Sequence, residues 1–497
     1  MESASVVQRS WNATRRAPLA SAVAACVLAA SSAAEAQGWR KKCFDPAAAP
    51  VTIGANWQLT GAGIDPQVPL AAEMLELAKF EINESCGVRV TPGSRGVPLA
   101  VLLINNETNT ALVASVTQKL IDAGAVAVVG GGNSVLAPLA VPPAVQAEIP
   151  FGVNQAGADT LSGCTAAELD DPTVVKSATP VYAPEQCWDH RGFMFRTTST
   201  GHQSGALSAR YVRETHPTLV TAAFLYRDDD FGRPNRDGFR EEFASLGGTV
   251  LAERGFSIQT TTVEDFKALL REVTAGNPSI IAANPNVSRL KFLMEAYVAL
   301  RDDPTWTAKP LNFDTMRFLW TSTSSGGTYG DLSPGALAAL VSQSEGVQSA
   351  WDTGSLGFQK WFALYQRFKP DAQPPTVHFG MAAYDALMVA ALAITAAGST
   401  DGAAIAAKLK EVTNSPGVCV YPGEWRKAFR RLAKGKPINY QGALGPVDLD
   451  ERGNATGIVH GIVRFQPDGS ALIVGLFGSA AQQSACDEDD QDDDDER

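Results

Sequence analysis

The chain has 497 residues, enough to form more than one hydrophobic core, and its apolar content of 45% is that of an ordinary globular protein. The formal net charge is −12, and much of it lies in the C-terminal run CDEDDQDDDDER, so the rest of the chain is only mildly acidic. The sequence has no basic patch with interleaved aromatic residues, which argues against nucleic acid as a partner.

The N-terminus has the pattern of an export signal. Two arginines precede the small-residue apolar stretch 17–30, and the sequence AEA at 34–36 matches an A-x-A cleavage motif. We therefore expect a signal peptide over residues 1–36, cleavage after Ala36, and a periplasmic or secreted mature protein. An alternative is a lipoprotein anchored at Cys26, because residues 23–26 resemble a lipobox.

Six cysteines follow the predicted signal peptide: Cys43, Cys86, Cys164, Cys187, Cys419 and Cys486. Export to an oxidising compartment and an even number of cysteines predict three disulfides, with the pairing open. Cys164 and Cys187 bracket a polar, proline-rich insertion and are the favoured pair. Spacings typical of zinc ligands are absent from the sequence, so we expect neither a metal site nor a cofactor.

Apolar strands and amphipathic helices alternate between residues 51 and 159. The predicted strands are Val51–Leu59, Leu99–Ile104, Ala125–Val129 and Ile149–Val153, and the predicted helices are Leu70–Asn83, Ala111–Ala123 and Val135–Gln146. Such alternation predicts an α/β unit with a parallel sheet covered on both faces. The loops that leave the carboxyl ends of the strands are therefore the candidate ligand loops.

Two of these loops lie within the stretch 125–159. Three glycines end the strand Ala125–Val129, and Asn133 and Ser134 follow at a helix start, where free N–H groups favour an anion such as a carboxylate. The alternative for Ser134 is a plain helix cap. After the next strand comes the polar turn 154–157.

The same alternation returns after an insertion. Residues 161–192 show no clear period and predict a long loop. The following pattern predicts strands Phe193–Thr198, Leu219–Arg227, Val250–Phe256 and Ser279–Ala283, separated by helices Gly201–Thr215, Arg236–Leu246, Val263–Thr274 and Arg289–Arg301. Later elements are a strand within Val341–Trp351, helices Gly357–Arg367 and Met381–Ala397, and closing strands within Pro437–Val447 and Ile458–Val474. The chain thus predicts two α/β halves, with a disordered acidic tail at 485–497.

Nine stretches, in order along residues 51–478, resemble the type I periplasmic solute-binding proteins of ABC transporters, in the leucine/isoleucine/valine-binding branch. They are IGANWQLTG, AVAVVGGGNS, IPFGVNQAG, FRTTST, FLYRDDDFGRPNRDGF, DF at 265–266, EGV at 345–347, AYDAL and GALGPVDLDERGN. The resemblance implies two Rossmann-like lobes with parallel sheets, joined by a three-segment hinge. Lobe 1 would comprise residues 51–196 plus 346–440, and lobe 2 would comprise residues 197–345 plus 445–478.

The resemblance also implies a ligand cleft between the lobes. The ligand-binding residues that it indicates are Trp57, Asn133, Ser134, Gln155, Ala156, Gly157 and Phe231. Ser134 falls on the turn that caps a ligand carboxylate, and either Gly157 or Ala158 falls where the family has a threonine. Phe231 stands where the family often has tyrosine, and Trp57 lies near the cleft mouth. Core packing is the alternative for both aromatic residues.

We therefore expect a monomeric, exported receptor that captures a small polar ligand, amino acid or amide-like, and delivers it to an ABC permease. One alternative keeps the fold and makes the protein a ligand sensor that reports to a signalling partner. A secreted hydrolase is less favoured, since the sequence contains neither a nucleophile elbow nor an H-E-x-x-H pair. The expected protein is not an enzyme.

Overall fold

The computed structural model describes residues 40–61, 67–182, 185–257, 259–260, 262–306, 312–321, 327–371, 378–478 and 486. The predicted signal peptide, Cys26 and the acidic tail other than Cys486 lie outside the described residues. Most of the described chain is built around two separate sheets.

The first sheet is fully parallel. Its strands are β1 (Val51–Trp57), β2 (Leu99–Asn105), β3 (Ala127–Gly130), β4 (Phe151–Val153) and β7 (Met194–Arg196), and they lie in the order β2-β1-β3-β4-β7. Two more strands, β5 (Val175–Ser177) and β6 (Gln186–Trp188), pair with each other inside the insertion. The parallel arrangement brings the ends of β1, β3, β4 and β7 to one edge of the sheet.

Helices cover both faces of the first sheet. They are Gln67–Ala71, Glu73–Glu84, Val113–Asp122, Ala137–Ala140, Pro142–Gln146, Leu356–Phe368, His378–Ala397, Gly402–Ala406, Leu409–Thr413 and Trp425–Ala433. His378–Ala397 is the one helix of the described chain that is long and apolar enough to cross a membrane, and 89% of its apolar window is buried in the protein. It forms the centre of the core on one face of the sheet.

The second sheet has seven strands. They are β8 (Thr221–Arg227), β9 (Thr249–Phe256), β10 (Ile280–Ala283), β11 (Arg317–Thr321), β12 (Ser344–Ser349), β15 (His460–Phe465) and β16 (Ala471–Phe477). Their order is β16-β15-β12-β11-β10-β8-β9, with β15 and β16 antiparallel to their neighbours. The helices on its faces are Gly201–Thr215, Gly232–Ser245, Val263–Thr274, Val287–Arg301 and Pro334–Gln343. Two cores, one on each face, hold this half together.

The chain passes between the two halves three times. It leaves the first half at the end of β7, returns to it after β12, and leaves it again just before β15. Main-chain hydrogen bonds join these crossings: Arg196 N donates to Gly453 O (2.8 Å), and Ala350 N donates to Val459 O (2.9 Å). The α/β architecture with three connections agrees with the sequence analysis.

Three local expectations change. The predicted helix Val135–Gln146 is two short helices, because the three prolines in the segment cannot continue one hydrogen-bond ladder. The insertion is not a structureless loop, since it holds β5, β6 and the short helix Ala166–Asp170. The closing strand expected within Pro437–Val447 is β14 (Ile438–Tyr440), and it pairs with β13 (Val418–Val420) rather than with either main sheet.

Three disulfides staple the described chain. They join Cys43 to Cys86, Cys164 to Cys187, and Cys419 to Cys486. The second of these closes the insertion, and it is the pair that the sequence favoured. The third ties a residue beyond the end of β16 to β13, which packs with the first half.

Candidate functional site

The loops at the carboxyl edge of the first sheet stand in one row. Asn56 of β1 pairs with Gly130 of β3, and Gly130 pairs with Val153 of β4. Beyond these pairs, Gln58 follows β1 and lies beside Gly132, where a Cβ would be 2.9 Å from its Oε1 atom, and Gln155 follows β4. The candidate site is therefore assembled by strand register, from segments that lie far apart in the sequence.

The turn after β3 is formed by glycines in the left-handed region. Gly130, Gly131 and Gly132 have φ angles of 108°, 84° and 84°. A Cβ on Gly130 would lie 2.3 Å from the carbonyl oxygen of Asn56, so this position has no room for a side chain. The glycines let the chain turn tightly enough to present Asn133 and Ser134 at the sheet edge.

Asn133 and Ser134 differ in what they contact. The Asn133 Oδ1 atom accepts hydrogen bonds from Val135 N (3.0 Å) and Leu136 N (3.3 Å), so this side chain caps the turn into the following helix. Ser134 is 8% exposed, and its hydroxyl forms no hydrogen bond with another described residue. Ser134 is thus the member of the pair with an uncommitted polar group.

The Gly157 loop, residues 155–158, follows β4. All three carbonyls from Ala156 to Ala158 accept hydrogen bonds: Ala156 O and Ala158 O from Arg196 (3.2 and 2.9 Å), and Gly157 O from Gly201 N (2.7 Å). Within the described chain, none of the N–H groups of residues 155–158 donates a hydrogen bond. The loop consequently offers backbone donors and almost no side chain, since Gln155 is its only polar one.

Phe231 reaches the Gly157 loop from the other half of the molecule. It follows β8 and precedes the helix Gly232–Ser245, and its ring packs under the guanidinium of Arg227, 5.3 Å from the ring centroid. A Cβ placed on Gly157 would lie 2.9 Å from two carbons of the Phe231 ring. The structure therefore brings Gly157 and Phe231 into contact across the gap between the two sheets.

Trp57 lies deeper than the other predicted residues. It is 3% exposed, its indole Nε1 donates to Val68 O at 3.0 Å, and its ring belongs to the core around His378–Ala397. A Cβ on Gly130 would approach the Trp57 ring to 3.2 Å, so Trp57 supports the glycine turn from below. Its proposed place at the mouth of the cleft remains a prediction.

Sequence reasoning missed two polar residues at this edge. Gln58 is 2% exposed, and its Oε1 atom lies beside Gly132 without a hydrogen-bond donor in the described chain. Arg196 is fully buried at the end of β7, and burial lowers its pKa to about 10. Both directly follow or end a strand of the first sheet, so the rule that placed Ser134 at the site could have found them.

A polar cluster joins the three crossings close to this site. Thr198 bonds His378 (3.1 Å), Ser199 bonds Ser349, and Ser204 bonds His460 (3.3 Å). Burial of the rings lowers the pKa of each histidine to about 4, so both are neutral at pH 7. Neutral rings bonded to hydroxyls can be enclosed at low cost where the two halves meet.

A family model described as periplasmic binding protein matches residues 50–437. The chain belongs to the periplasmic binding protein family. A comparison with curated protein sequences gives no match. The family match, which covers most of the chain, confirms the resemblance drawn from the nine sequence stretches.

Solved structures share the type I fold of this periplasmic binding protein. Leucine-binding protein LivK of Thermotoga maritima is 16% identical with a TM-score of 0.56, covering 86% of this chain and 99% of its own. The same four values describe LivJ of Streptococcus pneumoniae in complex with isoleucine. A solute-binding protein of R. palustris in complex with benzoate is 16% identical with a TM-score of 0.54, covering 86% of this chain and 96% of its own. At these identities the likeness establishes the fold.

Membership explains the paired architecture of this periplasmic binding protein. The two α/β halves and three crossings are the fold that the sequence analysis expected. The family consists of binding proteins that take up small molecules and work with ABC permeases, which supports a non-enzymatic role in general and a periplasmic location.

Proposed function

We propose that this protein is an exported receptor that captures a small polar ligand between its two halves and delivers it to an ABC permease. The observation that carries the proposal is the contact of Gly157 with Phe231, which joins the carboxyl edges of the two sheets at the row of candidate loops. A ligand held there touches both halves, so it binds the closed form more tightly than an open one.

The proposed ligand belongs to the amino-acid or amide-like class. The Ser134 hydroxyl and the N–H groups of the Gly157 loop offer donors suited to a carboxylate or carbonyl oxygen. Structural neighbours are named for leucine binding or were solved with isoleucine or benzoate, and each of these compounds carries a carboxylate. The buried Oε1 atom of Gln58 adds one acceptor for a ligand N–H group.

The proposed lobes follow the sheets. The resemblance implied lobe 1 at residues 51–196 plus 346–440 and lobe 2 at residues 197–345 plus 445–478. We propose to move two of these bounds, so that lobe 1 comprises residues 51–196 plus 350–458 and lobe 2 comprises residues 197–349 plus 459–478. Strand pairing supports placing the second crossing after Ser349, because β12 lies within the second sheet. Core packing supports keeping residues 443–458 with lobe 1 up to Ile458. We further propose that the mature protein begins after Ala36 and acts as a monomer without nucleic acid.

Native mass spectrometry of freshly purified protein is the first test, because a receptor of this kind can carry its ligand through purification. Isothermal titration with the twenty amino acids, their amides and benzoate then gives affinities, and small-angle scattering follows the shape. We expect a ligand that releases or absorbs heat on binding also to decrease the radius of gyration of the protein. Heat with no change in shape would contradict capture by closure, and co-purification with a signalling protein instead of a permease would favour the sensor alternative.

A further inference from the structure

A single buried arginine holds the Gly157 loop. Arg196 has none of its surface exposed, and its two terminal nitrogens donate to Ala156 O (3.2 Å) and Ala158 O (2.9 Å). The planar guanidinium presents its N–H groups in a fixed fork, so the two carbonyls are held at a set spacing. Gly157 lies between the two residues that are held.

Fixing a carbonyl also fixes the next N–H group. In a trans peptide the C=O of one residue and the N–H of the next point in opposite directions. Because Arg196 binds Ala156 O and Ala158 O, the N–H groups of Gly157 and Asp159 point away from the guanidinium. In the same way, the N–H group of Gly201 donates to Gly157 O at 2.7 Å, so the N–H group of Ala158 points away from Gly201.

The same arginine belongs to the crossings. Its main-chain N–H donates to Gly453 O (2.8 Å), and its main-chain carbonyl accepts from Ala455 N (3.0 Å). The carboxylates of Asp159 and Asp450 stabilise the positive charge of the buried guanidinium. Asp159 Oδ1 also accepts from His202 N (3.4 Å), at the start of the helix Gly201–Thr215. Arg196 therefore connects the loop with the first and third crossings.

We propose that Arg196 is the positioning residue of the ligand site, which sets the Gly157 loop in the conformation that presents its N–H groups. This inference rests on the proposed function for the identity of the site, while its structural content concerns the loop alone. Arg196 itself does not touch the ligand, because it is fully buried and its terminal nitrogens are bonded to the loop.

The chain offers a matched control in Arg89. This residue is also buried, at 7% exposure, and it also clamps two backbone carbonyls: Thr395 O (3.0 and 3.3 Å) and Leu432 O (2.9 Å). Those carbonyls belong to the helices of the first core, away from the strand ends. Arg89→Ala therefore removes a comparable clamp without touching the Gly157 loop.

Hydrogen exchange in the ligand-free protein reads the loop directly. The amides of Gly201 and Leu161 donate to Gly157 O and Ala158 O, so their exchange rates report whether those carbonyls stay in place. We expect Arg196→Ala to raise both rates at least ten-fold. Arg196→Lys, which keeps the charge but cannot span two carbonyls, should give a smaller increase. Arg89→Ala should leave both rates unchanged even if it lowers the melting temperature equally.

Binding provides the second readout. The probes are leucine, isoleucine and benzoate, and the one that binds the wild type most tightly is used for the variants. The affinity for that probe should fall at least ten-fold in Arg196→Lys. Added guanidinium ion should restore the affinity of Arg196→Ala for the same probe. Wild-type exchange rates in both Arg196 variants would overturn the proposal, and so would an equal acceleration in Arg89→Ala. If the wild type binds no probe, the proposed ligand class fails, while the exchange rates still decide the role of Arg196.

Discussion

The two loops that meet at the cleft are held in opposite ways. The Gly157 loop is mostly buried and is fixed by a guanidinium with no exposed surface. The Phe231 loop, residues 228–231, is fixed by ion pairs that solvent reaches: Arg227 with Asp229 (2.9 Å) and Arg233 with Asp228 (2.7 Å), whose side chains are 18–51% exposed. The exposed Arg233–Asp228 pair contributes only about 0–1 kcal/mol, and the Arg227–Asp229 pair is partly buried, whereas breaking a fully buried charge contact costs several kcal/mol.

This difference assigns unequal roles to the two halves. In the proposed site, the backbone donors of the first half are held by buried contacts, and donors that are in place before a ligand arrives reduce the entropy lost on binding. The second half brings a ring on a loop that water and salt can loosen. We infer that the ligand is recognised by the first half and enclosed by the second. The Gly157 and Phe231 variants below test that contrast directly, and the other predictions test the contacts that join the two halves.

The largest expected effect is a pH dependence that originates in the buried crossings. His460 is fully buried, its Nε2 bonds Ser204 Oγ at 3.3 Å, and its Nδ1 has no partner in the described chain. Burial lowers its pKa from 6.5 to about 4. The unfolded chain therefore binds more protons between pH 6.5 and 4. Stability from this residue is present above pH 6.5 and is lost as the pH falls through that window, by about 3 kcal/mol in total.

Two buried carboxyls oppose this trend. Burial raises the pKa of Glu81 and of Asp385 to about 7 each, although Tyr384 bonds the first and Tyr440 bonds the second. These groups bind more protons in the folded state between about pH 4 and 7, so their contribution falls as the pH rises through that window. The wild-type curve should consequently be flatter than the histidines alone would make it.

The variant His460→Asn should isolate the contribution of His460 to the pH dependence of stability. Relative to the wild type, the free energy of unfolding of the variant should rise by about 3 kcal/mol between pH 7.5 and 4.5. Urea denaturation at those two values and at pH 6 measures this change. Ser204→Ala, which keeps the ring and removes its hydrogen-bond partner, should follow the wild-type slope. Parallel curves for His460→Asn and the wild type would show that His460 does not titrate in this range.

The second prediction breaks the contact between the two loops. In Gly157→Ala the new methyl group would lie 2.9 Å from two carbons of the Phe231 ring, so the halves cannot approach as closely. Overpacking of this kind costs about 1–3 kcal/mol, which weakens ligand binding roughly 5- to 150-fold. Titration with the ligand identified by mass spectrometry measures the loss, and scattering should show a more open average shape.

The double variant tests the asymmetry between the loops. Phe231→Ala removes the ring that the methyl group strikes, so Gly157→Ala with Phe231→Ala should bind better than Gly157→Ala alone. Phe231→Ala by itself should weaken binding less than Gly157→Ala does, because it leaves the fixed donors in place. Additive losses in the double variant would mean that the two residues do not contact each other in the closed form.

Much of this architecture follows from local sequence pattern. Short apolar strands alternating with amphipathic helices predicted both α/β halves. The three glycines at 130–132 predicted the end of a strand, and their left-handed φ angles form the turn there. Periodicity could not show that β12 joins the second sheet or that β14 pairs with β13, because strand pairing depends on contacts between distant segments.

The sequence could predict the site residues that directly follow a strand. It could not predict the residues whose role depends on being buried. Ser134 lies at the edge that the strand pattern indicated, but Asn133 is occupied as a cap. Arg196 was visible in the stretch FRTTST, yet a charged residue in a strand gives no sign from sequence that it will be wholly buried. Its partners, Ala156 O and Ala158 O, are backbone atoms that carry no residue signature.

The smallest expected effect concerns a contact outside the two loops. Tyr182, in the disulfide-closed insertion beside the first sheet, donates its hydroxyl to Asp237 on the helix Gly232–Ser245 of the second half. Burial, followed by the hydrogen bond to Asp237, raises the pKa of Tyr182, so the hydroxyl keeps its proton and remains a donor. Because this bond joins the two halves, it should stabilise the closed form only.

Tyr182→Phe should therefore weaken ligand binding by about 1 kcal/mol, roughly five-fold, with little change in the melting temperature of the ligand-free protein. Tyr365→Phe is the matched control, because Tyr365 also donates to a carboxylate, Glu73, but within one half. That variant should lower the melting temperature and leave affinity unchanged. Equal affinities for Tyr182→Phe and the wild type would show that the insertion does not hold the halves together. Closure would then depend on the Gly157–Phe231 contact and the ligand, which places the selectivity of capture in the two loops alone.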